Sequence, residues 1–262
     1  MPADHHADPV PVAPLCQEGH LHVTTRQEGG LPDTPAPLPA AVLWDMDGTL
    51  IDSERLWDVS LRATARELGG ELSARAIASL VGVDIDTSIV VLLGDLGLPA
   101  TPDRIAWTYD RLVELTEELF LAGDVEWRPG ARAALQTVRD AGIPTALVTN
   151  SLRRITELAL EGIGREFFDV TVCGDEVETG KPAPDPYLRA AELLDVPAAA
   201  CVAVEDSPNG ALAAERAGAA VLVVPCDVPV LSGPRRTFRN DLVGLTVREL
   251  GAVCRAASER VA

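Results

Sequence analysis

Histidine is missing from the body of this chain: His5, His6, His20 and His22 all lie in its first 22 residues. The rest offers no imidazole for a Ser-His-Asp triad, a His-activated cysteine or a His-ligated metal. Lysine is scarcer still, with Lys181 alone against 21 arginines. The five cysteines (Cys16, Cys173, Cys201, Cys226, Cys254) form no CxxC pair. That argues against a disulfide framework or a zinc site and for reduced thiols in a cytoplasm. No apolar run approaches the roughly 20 residues of a membrane span, and no basic flank followed by an apolar stretch marks a secretory signal.

Positive charge is also short. The formal net charge of −18 repels nucleic-acid phosphates and anionic lipid, so neither nucleic acid nor membrane is expected as a partner. A small anionic substrate is admissible only if its site is locally positive.

What is present falls into three parts. Residues 1–39 are rich in Pro, His and acidic residues and lack apolar periodicity, so they read as a flexible tail whose histidines are solvated rather than metal-binding. Residues 40–54 and 128–262 carry short continuous apolar runs (AVLWD, PTALVTN, DVTVCG, ACVAVED, AVLVVP) alternating with amphipathic stretches of helical length. That alternation predicts an α/β fold, a Rossmann-like parallel sheet with helices on both faces. Residues 55–127 interrupt it after the first strand with four helical stretches, the last opening on a Thr101 cap with Pro102 in the first turn.

In open parallel sheets, ligands bind outside the carboxyl ends of the strands. The first run ends in Asp45 and Asp47 of DMDGTLIDS, the second in Thr149, Asn150 and Ser151, the fourth in Glu205 and Asp206 of VEDSPNG. Lys181 lies between them in GKPAPDPY, ahead of a proline that biases it into an extended loop. Singly, each has an ordinary reading: a turn aspartate, a cap, Ser207 as N-cap before Pro208, a solvated surface charge. Together, in order, at successive strand ends, they are the groups that handle a phosphate and a divalent cation. A carboxylate can attack phosphorus without prior deprotonation, and a compact ammonium serves as a point charge on a phosphoryl oxygen.

The set DMDGTLIDS, VTNS, GKPAPDPY and VEDSPNG resembles the four motifs of the haloacid dehalogenase superfamily of phosphohydrolases, from Ala40 to Pro225. The insertion looks like the helical cap of its β-phosphoglucomutase-like and sugar-phosphate phosphatase members. The resemblance implies that Asp45 is the nucleophile and Asp47 the general acid and base. It implies Mg²⁺ held by Asp45, Asp206 and the Asp47 carbonyl, with Glu205 a ligand or just behind one. Lys181 would offset the clustered acids, while Thr149 and the N–H groups around Gly48 and Asn150 would hold the phosphoryl oxygens.

The same resemblance sorts the chemistry. Dehalogenases proper lack an acid at the position of Asp47, and phosphonatases use a cap lysine that residues 55–127 do not contain. β-Phosphoglucomutases place a histidine where Trp57 stands and an arginine in a cap loop where Gly82-Val83-Asp84-Ile85 has none. DSERLW is similar to the DSEPLW of hexose- and hexitol-phosphate phosphatases. Hydrolysis of a small phosphorylated sugar or polyol by a monomer is therefore expected, with a phosphomutase as the alternative. A non-catalytic regulator would carry a damaged motif, and none is damaged. Trp57, Asp84, Asp86, Trp107 and Arg111 are the candidates for contact with the leaving group, although Trp107 and Tyr109 are expected in the core.

Overall fold

The computed structural model describes residues 37–261 apart from 81, 82, 84, 124, 125 and 227, so residues 1–36 of the tail with all four histidines, Gly82 and Asp84 lie outside the described residues. The first strand, β1 (Val42–Trp44), is fully buried, as a run without polar residues must be when both faces are covered. It pairs in parallel with β2 (Thr145–Val148) on one side and β4 (Val202–Glu205) on the other, Val42 standing level with Thr145 and Val202. Outside these lie β3 (Val170–Val172), then β5 (Ala220–Val223) and β6 (Arg236–Phe238). The order is β3-β2-β1-β4-β5-β6, every pairing parallel.

Side chains alternate across this sheet, as a strand period of two requires. Val42 and Trp44 of β1 join Leu147, Val202, Val204 and Leu222 on one face. There they pack against α5 (Ala131–Asp140), α6 (Arg153–Ile163) and α9 (Val247–Val261). Leu43, Ala146, Val148, Ala203 and Val221 point the other way, toward α7 (Asp185–Leu193) and α8 (Pro208–Arg216). That second layer is built largely of alanine, Ala190, Ala211, Ala213 and Ala214 among them, which brings helices and sheet close together.

Between β1 and α5 run α1 (Glu54–Glu67), α2 (Ala74–Ser79), α3 (Ile85–Asp95) and α4 (Pro102–Leu121). They gather a cluster of their own from Leu61, Ala65, Leu72, Ala76, Ile89, Leu92, Leu93 and Leu112. Thr101 caps α4 by accepting the Arg104 N–H, with Pro102 in the first turn as expected. A hydrogen bond from Thr116 Oγ1 to Ser60 Oγ, 2.9 Å, ties α4 to α1. Leu56 of α1 and Val113 and Phe120 of α4 join the core of the sheet, and Arg154 of α6 forms an ion pair with Glu117 of α4.

Two features differ from expectation. β6 is a sixth strand with no apolar run to announce it. Trp107 was expected in the core but is 43% exposed, whereas Tyr109 packs against both clusters. Residues two apart on a helix point in nearly opposite directions, so the two rings could not share a face. Among the described residues, no helix is long and apolar enough to cross a membrane.

Candidate active site

The chain leaves β1 toward β2 on one side and reaches β4 on the other, so the carboxyl ends of these three strands lie together. Where strand order reverses, the connections diverge and a crevice opens. Asp45 follows β1, its N–H donating to Val204 O at 3.0 Å. Thr149 follows β2, and Glu205 closes β4 with Asp206 next. Ser207 caps α8 by accepting the Gly210 N–H at 3.0 Å, with Pro208 in the first turn. The ordinary cap and the buried acids before it therefore coexist.

Lys181 is buried, and each of its three ammonium donors has an acceptor: Asp45 Oδ1 at 2.6 Å, Glu205 Oε1 at 2.7 Å and Val148 O at 2.8 Å. The single lysine thus binds together the ends of β1, β2 and β4. Its loop is held by Asn150, whose Oδ1 accepts the Lys181 N–H at 2.8 Å and whose Nδ2 donates to Lys181 O at 3.1 Å. The Asn150 side chain therefore serves the lysine.

Asp47 turns toward β2. Its Oδ1 accepts Ser53 Oγ at 2.6 Å, and its Oδ2 accepts both Thr149 Oγ1 and Ser151 Oγ at 2.8 Å. Ser53 and Ser151 were not assigned roles from sequence, because a serine in a loop looks the same whether it caps, turns or donates to an acid. Of the N–H groups around Gly48, that of Gly48 itself donates to Ile51 O at 2.9 Å, closing the turn after β1. Trp57 is half-buried on α1, and Asp86 is exposed at the start of α3. Arg111 is committed elsewhere, to Glu67 at 2.8 Å and Glu114 at 3.1 Å within the helical insertion.

Burial pushes the Asp45 carboxyl up to about 7, Glu205 adds to the rise, and Lys181 opposes it. Burial would lower the Lys181 ammonium, but Asp45 and Glu205 outweigh it and hold the group charged above its usual range. Burial, then Glu205 and Asp45, raise the Tyr187 hydroxyl, which keeps it neutral and a donor.

Asp45, Glu205 and Asp206 each bring a carboxylate oxygen within 4.8 Å of the others. Asp45 Oδ2 is buried and has no hydrogen-bond partner among the described residues. A buried carboxylate oxygen left alone is costly, and a hard divalent cation held among these clustered acids offsets their charge. The donor set fits such a cation.

The family model described as "Hydrolase: haloacid dehalogenase-like hydrolase" matches residues 39–218. Hexitol phosphatase B of Escherichia coli O157:H7 is 31% identical over 233 residues, covering 83% of this chain and 98% of that protein. A bifunctional riboflavin kinase/FMN phosphatase of Arabidopsis thaliana is 32% identical over 191 residues, 72% of this chain and 49% of that protein. The match thus spans about half the length of that relative. Among solved structures, CbbY from Rhodobacter sphaeroides in complex with phosphate aligns with a TM-score of 0.71 at 29% identity, covering 79% of this chain and 96% of that one. A family match over well more than half of the residues makes the assignment plain: this chain belongs to the haloacid dehalogenase-like hydrolases.

Proposed function

We propose that the protein is a Mg²⁺-dependent phosphatase that hydrolyses a small phosphorylated sugar or polyol through an aspartyl-phosphate on Asp45. The observation that carries this reading is the division of labour on one carboxylate. Oδ1 of Asp45 is pinned by Lys181 at 2.6 Å, while Oδ2 is buried without a partner. An oriented carboxylate with one oxygen left over is what in-line attack on phosphorus needs.

In the first half-reaction Asp45 Oδ2 forms a bond to phosphorus as the bond from phosphorus to the leaving oxygen breaks. Asp47 gives that oxygen its proton. In the second half-reaction water attacks phosphorus, its proton passes to Asp47, and the Asp45–phosphorus bond breaks to release inorganic phosphate. Thr149 and Ser151, whose hydroxyls close on Asp47, become donors to the phosphoryl oxygens when substrate displaces it. Asp45, Asp206 and the Asp47 carbonyl would hold the Mg²⁺, with Glu205 behind them. The cation's contribution is to neutralise charge on the phosphoryl group beside clustered acids. Lys181 adds local positive charge to a strongly acidic protein.

The helices α1–α4 act as a cap over the strand ends and supply the contacts to the leaving group, Trp57 among them. Relatives named as phosphatases of hexitols support the substrate class. The test is hydrolysis of p-nitrophenyl phosphate and of a panel of sugar and polyol phosphates, with Mg²⁺ and after its removal. Asp45→Asn should lower the rate by at least about 10⁴-fold. Activity surviving that change rules out the nucleophile. Conversion of glucose 1-phosphate to the 6-phosphate without phosphate release, given a sugar bisphosphate, would replace the phosphatase by a phosphomutase.

A further inference from the structure

Tyr187 belongs to none of the roles above, yet it touches two groups that have them. It stands in the first turn of α7, fully buried among small side chains of the alanine-rich layer. Its hydroxyl donates to Glu205 Oε1 at 2.5 Å, and Lys181 Nζ lies 5.1 Å from its ring centroid. A buried phenol hydroxyl is costly without a partner, and phenylalanine would fill the same space without that cost. The hydroxyl therefore calls for a reason of its own.

Resting on the proposed mechanism, we infer that Tyr187 is a positioning residue: its hydroxyl holds Glu205 so that Lys181 stays on Asp45. The lysine is shared between two buried carboxylates, at 2.6 Å and 2.7 Å. An ammonium in that position moves toward whichever anion is less well satisfied. Glu205 Oε1 receives Tyr187 as well as Lys181, while Oε2 has, among the described residues, only the long 3.3 Å contact from Ser207 Oγ. The donation from Tyr187 weakens the pull of Glu205 and leaves the lysine to orient Asp45. Gly210 makes the arrangement tight: a β-carbon there would stand 1.9 Å from Glu205 Oε1, so the carboxylate fills the space of a side chain against α8. Glu205 is thereby walled in by α8, α7 and the lysine, and its direction is set by the donor from α7.

Composition supplies the test, because the whole chain contains one lysine and two tyrosines. Lysine labelled at its ε position gives one signal, that of Lys181, and ring-labelled tyrosine gives two, told apart by Tyr109→Phe. In the unaltered protein the Tyr187 hydroxyl proton should exchange slowly with water and be visible beside its ring carbon. Tyr187→Phe keeps the ring and removes only the hydroxyl. It should shift the Lys181 signal, speed the exchange of its ammonium protons, and lower kcat on p-nitrophenyl phosphate roughly tenfold with KM within about twofold. A residue that only packs would leave the lysine signal and kcat as they were. The inference is overturned if the Tyr187 hydroxyl exchanges as freely as that of Tyr109. It is equally overturned if Tyr187→Phe, folded as the parent by circular dichroism, keeps the parental lysine signal and kcat. Neither result bears on the nucleophile, which Asp45→Asn tests separately.

Discussion

Gly48 and Asp206, 158 positions apart, meet so closely that a β-carbon on Gly48 would stand 2.2 Å from Asp206 Oδ2. Gly48 also has a φ of +80°, in the left-handed region that costs other residues roughly 1–2 kcal/mol. Gly48→Ala should therefore act twice. It should destabilise the fold by about that amount and push Asp206 from its place, weakening the response to Mg²⁺. Thermal unfolding with and without the cation measures both effects. An alanine variant with the parental Mg²⁺ response would show that Asp206 does not hold the ion.

A cation bound only by the folded protein raises its stability by RT ln(1 + [L]/Kd), about 2.7 kcal/mol at a hundredfold excess over Kd. For a chain of this length that corresponds to a rise of roughly 5–10 °C in Tm. Mg²⁺ should produce such a rise, a chelator should reverse it, and Asp206→Asn should remove most of it. No shift at millimolar Mg²⁺ would remove the ion from the proposed mechanism.

Lys181 compensates two carboxylates that are themselves buried. Lys181→Met should leave Asp45 and Glu205 facing each other without a cation, at a cost on the order of 3–5 kcal/mol, and should abolish hydrolysis. Lys181→Arg should not restore activity, because a planar fork cannot place its donors where a compact ammonium reaches Asp45, Glu205 and Val148 O. Chemical denaturation and steady-state kinetics decide this, and full activity of the arginine variant would contradict it.

Asp45 titrates near 3.8 when unperturbed and is pushed up to about 7 in the folded protein. Between those values the folded state holds the proton that the unfolded state releases. Its contribution to stability therefore falls as pH rises through that window. Without metal, Tm should drop from about pH 4 to about pH 7, and Asp45→Asn should flatten the curve and be the more stable protein at the upper end. Mg²⁺ should stabilise the parent more at the upper end, where the carboxylate is ionised. Superimposable pH curves for parent and variant, without metal, would show that Asp45 carries no such shift.

Much of the molecule was legible in the order of residues. Continuous apolar runs bounded by turns marked five of the six parallel strands. The helical stretches after Glu54 formed where the 3.6-residue period placed their apolar side chains. β6 escaped because three residues, one of them an arginine whose buried head pairs with Glu215 at 2.7 Å, carry no period at all. Trp107 was misplaced because composition ranks a tryptophan as core, whereas the face of a helix is set by what packs against it. Tyr187, although inside a quoted motif, showed nothing of its role, since a hydroxyl declares itself only through its partner.

By itself, the sequence determined which chemical groups stand at the strand ends: four carboxylates, small hydroxyl residues and a solitary lysine. That follows from local pattern, because where a buried strand stops is written in its own residues. Only the tertiary structure decided which of these groups meet. Strand order β2-β1-β4 brings Asp45 within 2.6 Å of a lysine 136 positions away, the fold commits the Asn150 side chain to that lysine's loop, and one oxygen of Asp45 is left without a partner among the described residues. Hydrogen bonds are settled at the scale of ångströms between segments far apart in the chain, so no local pattern could assign them.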